Sequence, residues 1–354
     1  MLHNMHPARQ EKPCGQKMRM KIGFSQTIGK KEKGEWDMFE IRTDLAVEEN
    51  ERIREKSHSV HGVTVEKENF EEEDICITTV RIETENGAKA MGKPKGTYIT
   101  LEASAMGEDD EGYHREISRR LAGVLKQLVR VDKEDVSILV AGLGNRMVTP
   151  DALGPQVADN LCITRHIIKE FGKYAYKDET ICHISSIVPG VMAQTGMETR
   201  EIIAGIIREV KPDYLIVIDA LAARSAKRLG RTIQITDTGI NPGSGVGNHR
   251  HSITKETIGI PVIAIGIPTV VEAATIVHDS MSALIDALAQ ADSMKPLQKS
   301  WDRLDEVEHK TLIRELLSPQ LNNMFVTPKD IDAAIKQMSY TVSEGINMAF
   351  GGSA

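Results

Sequence analysis

Apolar and polar residues alternate with a period of two over 75–82 and again over 97–103, and β-branched residues are frequent in both stretches. That spacing predicts two strands. Over 112–130 the period lengthens, and Ile117, Leu121, Val124, Leu125 and Leu128 fall on one face of a helix. From 136 to 266 strand-like runs and amphipathic stretches take turns, with strands expected at 136–141, 181–188, 214–219, 232–236 and 262–266. Helices are expected at 152–169, 199–210 and 269–290, with two more near the C-terminus at 301–317 and 328–338. Alternation of this kind predicts an α/β fold, a doubly wound and largely parallel sheet with helices on both faces and added N-terminal strands.

Residues 1–36 break the pattern. They are polar and basic, carry Lys30-Lys31-Glu32-Lys33, and read as a solvated extension. A segment at 40–48 and a charged stretch to Lys56 follow. The 354-residue length is enough to bury a substantial core. A net charge of −7 argues against general nucleic-acid binding. The four cysteines are scattered without a CxxC pair, which favours a reducing compartment. No apolar run reaches the roughly 18–20 residues of a membrane span, and no signal-peptide core is present. A cytoplasmic protein is therefore expected.

The chemistry concentrates in two copies of Asp-Ala-Leu. Asp151-Ala152-Leu153 follows the strand expected at 136–141, and Asp219-Ala220-Leu221 follows Tyr214-Leu215-Ile216-Val217-Ile218. In a wound sheet, residues past the carboxyl ends of strands face the ligand crevice. Two carboxylates at that rim can share a proton, so that one acts as base and the other as acid. Each has a plainer reading. Asp151 suits a helix N-cap, and Asp219 suits an ion pair with Arg224 or Arg228. Gly142-Leu143-Gly144-Asn145 resembles a dinucleotide-binding turn, but Met147 stands where the third glycine is needed. It reads better as a turn that lets backbone pass close to a substrate and places Asp151. Asn241-Pro242-Gly243-Ser244-Gly245-Val246-Gly247-Asn248 is a turn-rich loop suited to bordering a groove. No His-Glu-x-x-His, zinc spacing or serine elbow occurs, so neither a metal nor a covalent serine mechanism is expected.

Taken together these segments resemble the spore germination proteases of endospore-forming bacteria. The resemblance rests on Ile41-Arg42-Thr43-Asp44-Leu45-Ala46-Val47-Glu48, Gly142-Leu143-Gly144-Asn145, Thr149-Pro150-Asp151-Ala152-Leu153-Gly154-Pro155 and Pro189-Gly190-Val191-Met192. It continues through Ile218-Asp219-Ala220-Leu221-Ala222-Ala223-Arg224, the run from Gln234 to Gly247, Gly259–Gly266 and Val326-Thr327-Pro328-Lys329. It implies a fold similar to that of hydrogenase-maturation endopeptidases, and a catalytic aspartate pair falling on Asp151 and Asp219. It also implies an endopeptidase that degrades small acid-soluble spore proteins during germination in the spore core, without cofactor, membrane or direct nucleic-acid contact. Family members are homotetrameric zymogens that remove their own N-terminal segment. Their substrates are cut within Thr-Glu, Ile/Phe-Ala-Ser-Glu, and Thr43-Asp44-Leu45-Ala46-Val47-Glu48 is similar at nearly every position. Self-cleavage is accordingly expected between Asp44 and Leu45, separating a 1–44 propeptide from a single 45–354 peptidase domain. The extension exceeds the short propeptide the resemblance implies, with Met38 as the alternative start. Substrate-binding roles are expected for Asn145, Thr149, Arg224, Asn241, Gly243 and Arg250.

Overall fold

A computed structural model describes residues 61–130, 135–176, 180–223, 225–243, 250–289, 295–304, 306–317, 321 and 324–351. By contacts these residues all belong to one unit, Ile41–Ala354. The expected extension, the Asp44–Leu45 bond and Arg224 lie outside the described residues.

The frame is a nine-stranded sheet in the order β1-β2-β3-β7-β8-β6-β4-β5, with β9 also paired to β8. The strands are β1 (Val63–Phe70), β2 (Ile75–Ile82), β3 (Gly96–Ala103), β4 (Ser137–Gly142), β5 (His183–Ile187), β6 (Tyr214–Ala223), β7 (Thr232–Thr236), β8 (Val262–Glu272) and β9 (Phe325–Val326). Strands β5, β4, β6 and β8 pair in parallel, whereas β7 is antiparallel to both β8 and β3, and β2 to both β1 and β3. As a result β1, β3, β4, β5, β6 and β8 run one way and β2, β7 and β9 the other. The parallel half is the wound α/β core; the antiparallel half holds the added N-terminal strands.

The longer helices are α1 (Glu85–Met91), α2 (Glu111–Leu128), α3 (Leu153–Asp159), α4 (Arg165–Phe171), α5 (Thr199–Val210), α6 (Ala273–Leu288), α7 (Lys295–Trp301), α8 (Glu306–Leu316) and α9 (Ile331–Phe350). Helix α2 begins where the Asp110 carboxylate accepts the Tyr113 amide N–H at 3.0 Å, a side-chain N-cap. Its apolar face packs on α9 and, with Leu153 and Val157 of α3, covers one face of the sheet. On the other face, Ile203 and Ile207 of α5 pack against Leu139, Leu215 and Val217. Met91 of α1 packs separately on Val80, Ile82 and Tyr98.

Four expectations of local structure need correction. The helix expected at 152–169 is broken after Asp159 because 160–164 is stitched elsewhere. The Thr164 hydroxyl donates to Cys182 O at 2.5 Å and accepts the Ile184 amide at 2.8 Å, and Asn347 Oδ1 accepts the Cys162 amide at 2.9 Å. The helix expected at 269–290 begins only at Ala273, since Thr269–Glu272 extend β8 and pair with β6 and β9. The helix expected at 301–317 starts only at Glu306, as α8, and α7 ends at Trp301, while the helix expected at 328–338 starts at Ile331 and runs on to Phe350.

Candidate active site

Strand order makes a crevice beside β4. The chain leaves β4 toward β5 on one side and returns to β6 on the other, so the carboxyl ends of β4 and β6 flank a topological switch point. Strand β4 ends at Gly142, registered with Ile218. Strand β6 continues past that point to Ala223, so Asp219 sits within its strand, registered with Gly266 of β8, where β4 has already turned away. It is 7% exposed, and its Oδ1 accepts the Ala220 amide at 3.0 Å. Arg228, one of its two expected partners in the ion-pair reading, lies 3.7 Å from Glu102.

The segment leaving β4 carries Asp151 back to this edge. Asp151 closes a single 3-10 turn, Thr149–Asp151, in front of α3. It is not the helix N-cap: Ala152 holds that position without a side-chain bond. The Asp151 carboxylate instead accepts the Asn145 amide at 2.8 Å, and the same N–H reaches the Asp151 carbonyl at 3.1 Å. Asn145 Oδ1 in turn accepts the Met147 amide at 3.0 Å and Gln194 Nε2 at 3.3 Å. Gly144 has φ +114, and a Cβ there would lie 1.9 Å from the Asp151 carbonyl. The turn therefore closes over a residue that must lack a side chain.

The turn is seated on the sheet. It contacts β6 and β8, and the buried Thr269 hydroxyl of β8 donates to Pro150 O at 2.7 Å. Just beyond it, Gly154 abuts Ile218 O, the carbonyl preceding Asp219. One sheet edge thus gathers Asn145, Thr149 and Asp151 beside the strand that holds Asp219. Burial, first, pushes the Asp151 carboxyl above the ordinary carboxylate range, opposed by the Asn145 amide and the charge of Arg250.

A pH dependence follows from that upward shift. Asp151 binds its proton more tightly folded than unfolded, so its contribution to stability is full below about pH 4, the unfolded value. It is lost as pH rises through the folded value. Relative to Asp151→Asn, the parent is expected to lose stability progressively above about pH 4 and then level off. Urea midpoints of both proteins across acidic to neutral pH check this; a constant difference would contradict it.

Arg250 reaches Asp151 electrostatically from the far end of the loop that begins at Asn241, and the Ile240–Ile253 bridge closes that loop. Asn241 is exposed and lines a cavity over β7 and β8, and Gly243 is half-buried with φ +73. Two residues here escaped sequence reasoning. Thr269 lay in a segment read as helix. Gln234 alternates with Ile233 and Ile235, a pattern that already put a polar side chain opposite the apolar face. Among the described residues no group of three or more His, Cys, Asp or Glu could hold a metal ion, and no helix is long and apolar enough to cross a membrane.

Comparison with known proteins gives this architecture its class. The germination protease profile matches residues 40–303 and 286–353. A germination protease of Caldanaerobacter subterraneus subsp. tengcongensis is 48% identical over 87% of this chain and 94% of its own length. One from Clostridium perfringens is 44% identical over 88% and 95%. Among solved structures, the [NiFe] hydrogenase maturation protease HycI from Thermococcus kodakarensis KOD1 is 22% identical, covering 41% of this chain and 80% of that one at a TM-score of 0.24. The chain is a protease. It belongs to the germination protease family.

Proposed function

We propose that this protein is an endopeptidase of the aspartate-pair type that initiates degradation of small acid-soluble spore proteins during germination. The observation that supports the reading is the seating of the Asp151 turn against β8 and against β6, the strand that carries Asp219. Asp151, whose carboxyl burial favours the protonated form, serves as the acid. Asp219, accepting an amide N–H, serves as the base. Asp219 takes a proton from the attacking water, the hydroxide adds to the scissile carbonyl, and Asp151 gives its proton to the leaving amine. The products are a carboxylic acid and a free amine, and no protein nucleophile is consumed.

The substrate preference and zymogen character follow the family resemblance. Residues 1–44 form the propeptide, the enzyme assembles as a homotetramer, and it works in the spore core. Asn145 and Thr149 hold the turn side of the groove, and Asn241, Gly243 and Arg250 hold the other, where cations and amides suit the acidic residue of the cleavage motif; Arg224 keeps the substrate-binding role that the resemblance implies. Incubating the full chain at mildly acidic and neutral pH tests the reading. The expected product begins at Leu45 by mass spectrometry, and neither Asp151→Asn nor Asp219→Asn yields it. A different new N-terminus overturns the Asp44–Leu45 assignment, and cleavage persisting in both variants overturns the aspartate pair.

A further inference from the structure

Two segments meet at the side chain of Asn145. Its Oδ1 accepts the Met147 amide at 3.0 Å, within the turn that leaves β4, and Gln194 Nε2 at 3.3 Å, from the short helical turn Met192–Thr195. That turn follows β5, which runs parallel to β4, so both segments leave the sheet at the same edge. Four large apolar side chains near this junction stand in solvent. Met147 is 85% exposed, and Val148, Met192 and Met197 are between 43% and 49% exposed. Each lies within three positions of a residue bonded to Asn145 Oδ1. Single exposed apolar residues need no explanation, but several gathered at a reactive edge do.

The junction is tied to Asp151. The Asn145 amide donates to the Asp151 carboxylate at 2.8 Å, so two hydrogen bonds and one residue separate that carboxylate from the Met147 backbone. In the proposed hydrolysis Asp151 gives its proton to the leaving amine. That amine is the backbone nitrogen of the residue just after the scissile bond, and the Cβ of the same residue is about 2.5 Å from it. The apolar surface therefore sits on the leaving-group side of the reaction. Three of its four members are methionines, whose unbranched side chains mould to apolar groups of different shape.

We infer that Met147, Val148, Met192 and Met197 form the subsite for the apolar side chain that follows the scissile bond, which is Leu45 when the chain cleaves itself. The tether allows this in one molecule. Leu45 precedes His61, the first described residue, by sixteen positions, a reach of up to roughly 53 Å. From the start of β1 to the end of β4 is six strand spacings across, about 29 Å, and one strand length along, about 26 Å. A polar side chain at the same place would lose water and gain no partner, so the surface selects against it. This inference rests on Asp151 serving as the acid in the proposed hydrolysis.

The test follows self-cleavage of the full chain, with the product beginning at position 45 measured by mass spectrometry. Met147→Gln with Met192→Gln makes the surface polar, and Leu45→Ser removes the side chain it receives. Each change is expected to slow formation of that product about tenfold or more. The melting temperature of the glutamine chain should stay at the parental value, because both methionines are exposed. Combining the changes should slow the reaction no further than the slower of the two alone, since both remove one contact. Met147→Leu with Met192→Leu, which keeps the surface apolar, should recover most of the rate lost to glutamine. Effects that multiply in the combined chain, or a parental rate with glutamine at both positions, overturn the assignment. A glutamine chain whose mass by light scattering differs from the parent's marks the surface as a contact between copies and overturns it as well. A parent chain that yields no such product overturns the proposed function itself, a separate result.

Discussion

Asparagine in place of Asp219 is expected to slow peptide-bond hydrolysis by about a thousandfold, the middle of the range for removing one acid–base group, with little change in stability. The substitution is isosteric, and an amide oxygen can still accept the Ala220 N–H that Asp219 Oδ1 now accepts at 3.0 Å. What disappears is the ability to take a proton from water. A thousandfold corresponds to about 4 kcal/mol of transition-state stabilisation, far more than one neutral hydrogen bond supplies. The ion-pair reading of this residue forecasts the reverse. Removing one member of a buried pair strands the other charge and costs about 3–5 kcal/mol of stability, while turnover by the folded fraction stays intact. Single-turnover hydrolysis and thermal unfolding, measured on the same preparation, separate the two. A destabilised variant with parental turnover would remove Asp219 from the chemistry.

The sequence made Asp219 conspicuous because a charge interrupting an apolar strand is readable without knowing the fold. The same holds for β3, where Ile99, Leu101 and Ala103 alternate onto the main cluster, whereas in β2 the apolar residues change face, Ile75 and Ile77 joining that cluster and Val80 and Ile82 packing on Met91. What escaped depended on partners distant in sequence. Strand β1, Val-Thr-Val-Glu-Lys-Glu-Asn-Phe, is an edge strand exposed along most of its length, so burial never imposed an alternation on it. The break at 160–164 is dictated by Cys182, Ile184 and Asn347. A window centred on residue 162 contains none of them. Register is the deepest omission. The sequence shows a glutamine, a glycine and an aspartate in three separate strands, and only pairing aligns Gln234, Gly266 and Asp219 in one row.

The position of the Asp151 turn depends on how tightly α3 is seated, and Gly154 sets the distance. A methyl group built there would lie 2.4 Å from Leu143 O, 2.6 Å from Leu143 N and 2.6 Å from Ile218 O. All three are backbone atoms, of the residue just past β4 and of the middle of β6, so no side chain can rotate away to make room. Overfilling an ordinary core costs about 1–3 kcal/mol; with rigid neighbours on three sides, Gly154→Ala is expected at or above the top of that range. The gain in helix propensity, at most about 1 kcal/mol, does not offset it. For a chain of this size the melting temperature should fall by roughly 10 °C, taking about 2–4 °C per kcal/mol. Gly123 of α2 is the control, since nothing lies within 4 Å of a methyl group at that position. Gly123→Ala should stabilise the protein by about 0.5–1 kcal/mol. Relief of the Gly154→Ala clash can come only by lifting α3, which carries the Thr149–Asp151 turn away from β6. Hydrolysis by the protein that remains folded is therefore expected to fall alongside stability. A Gly154→Ala protein that melts and cleaves like the parent would show that α3 does not rest on Leu143 and β6, and the seating of the Asp151 turn against β6 would go with it.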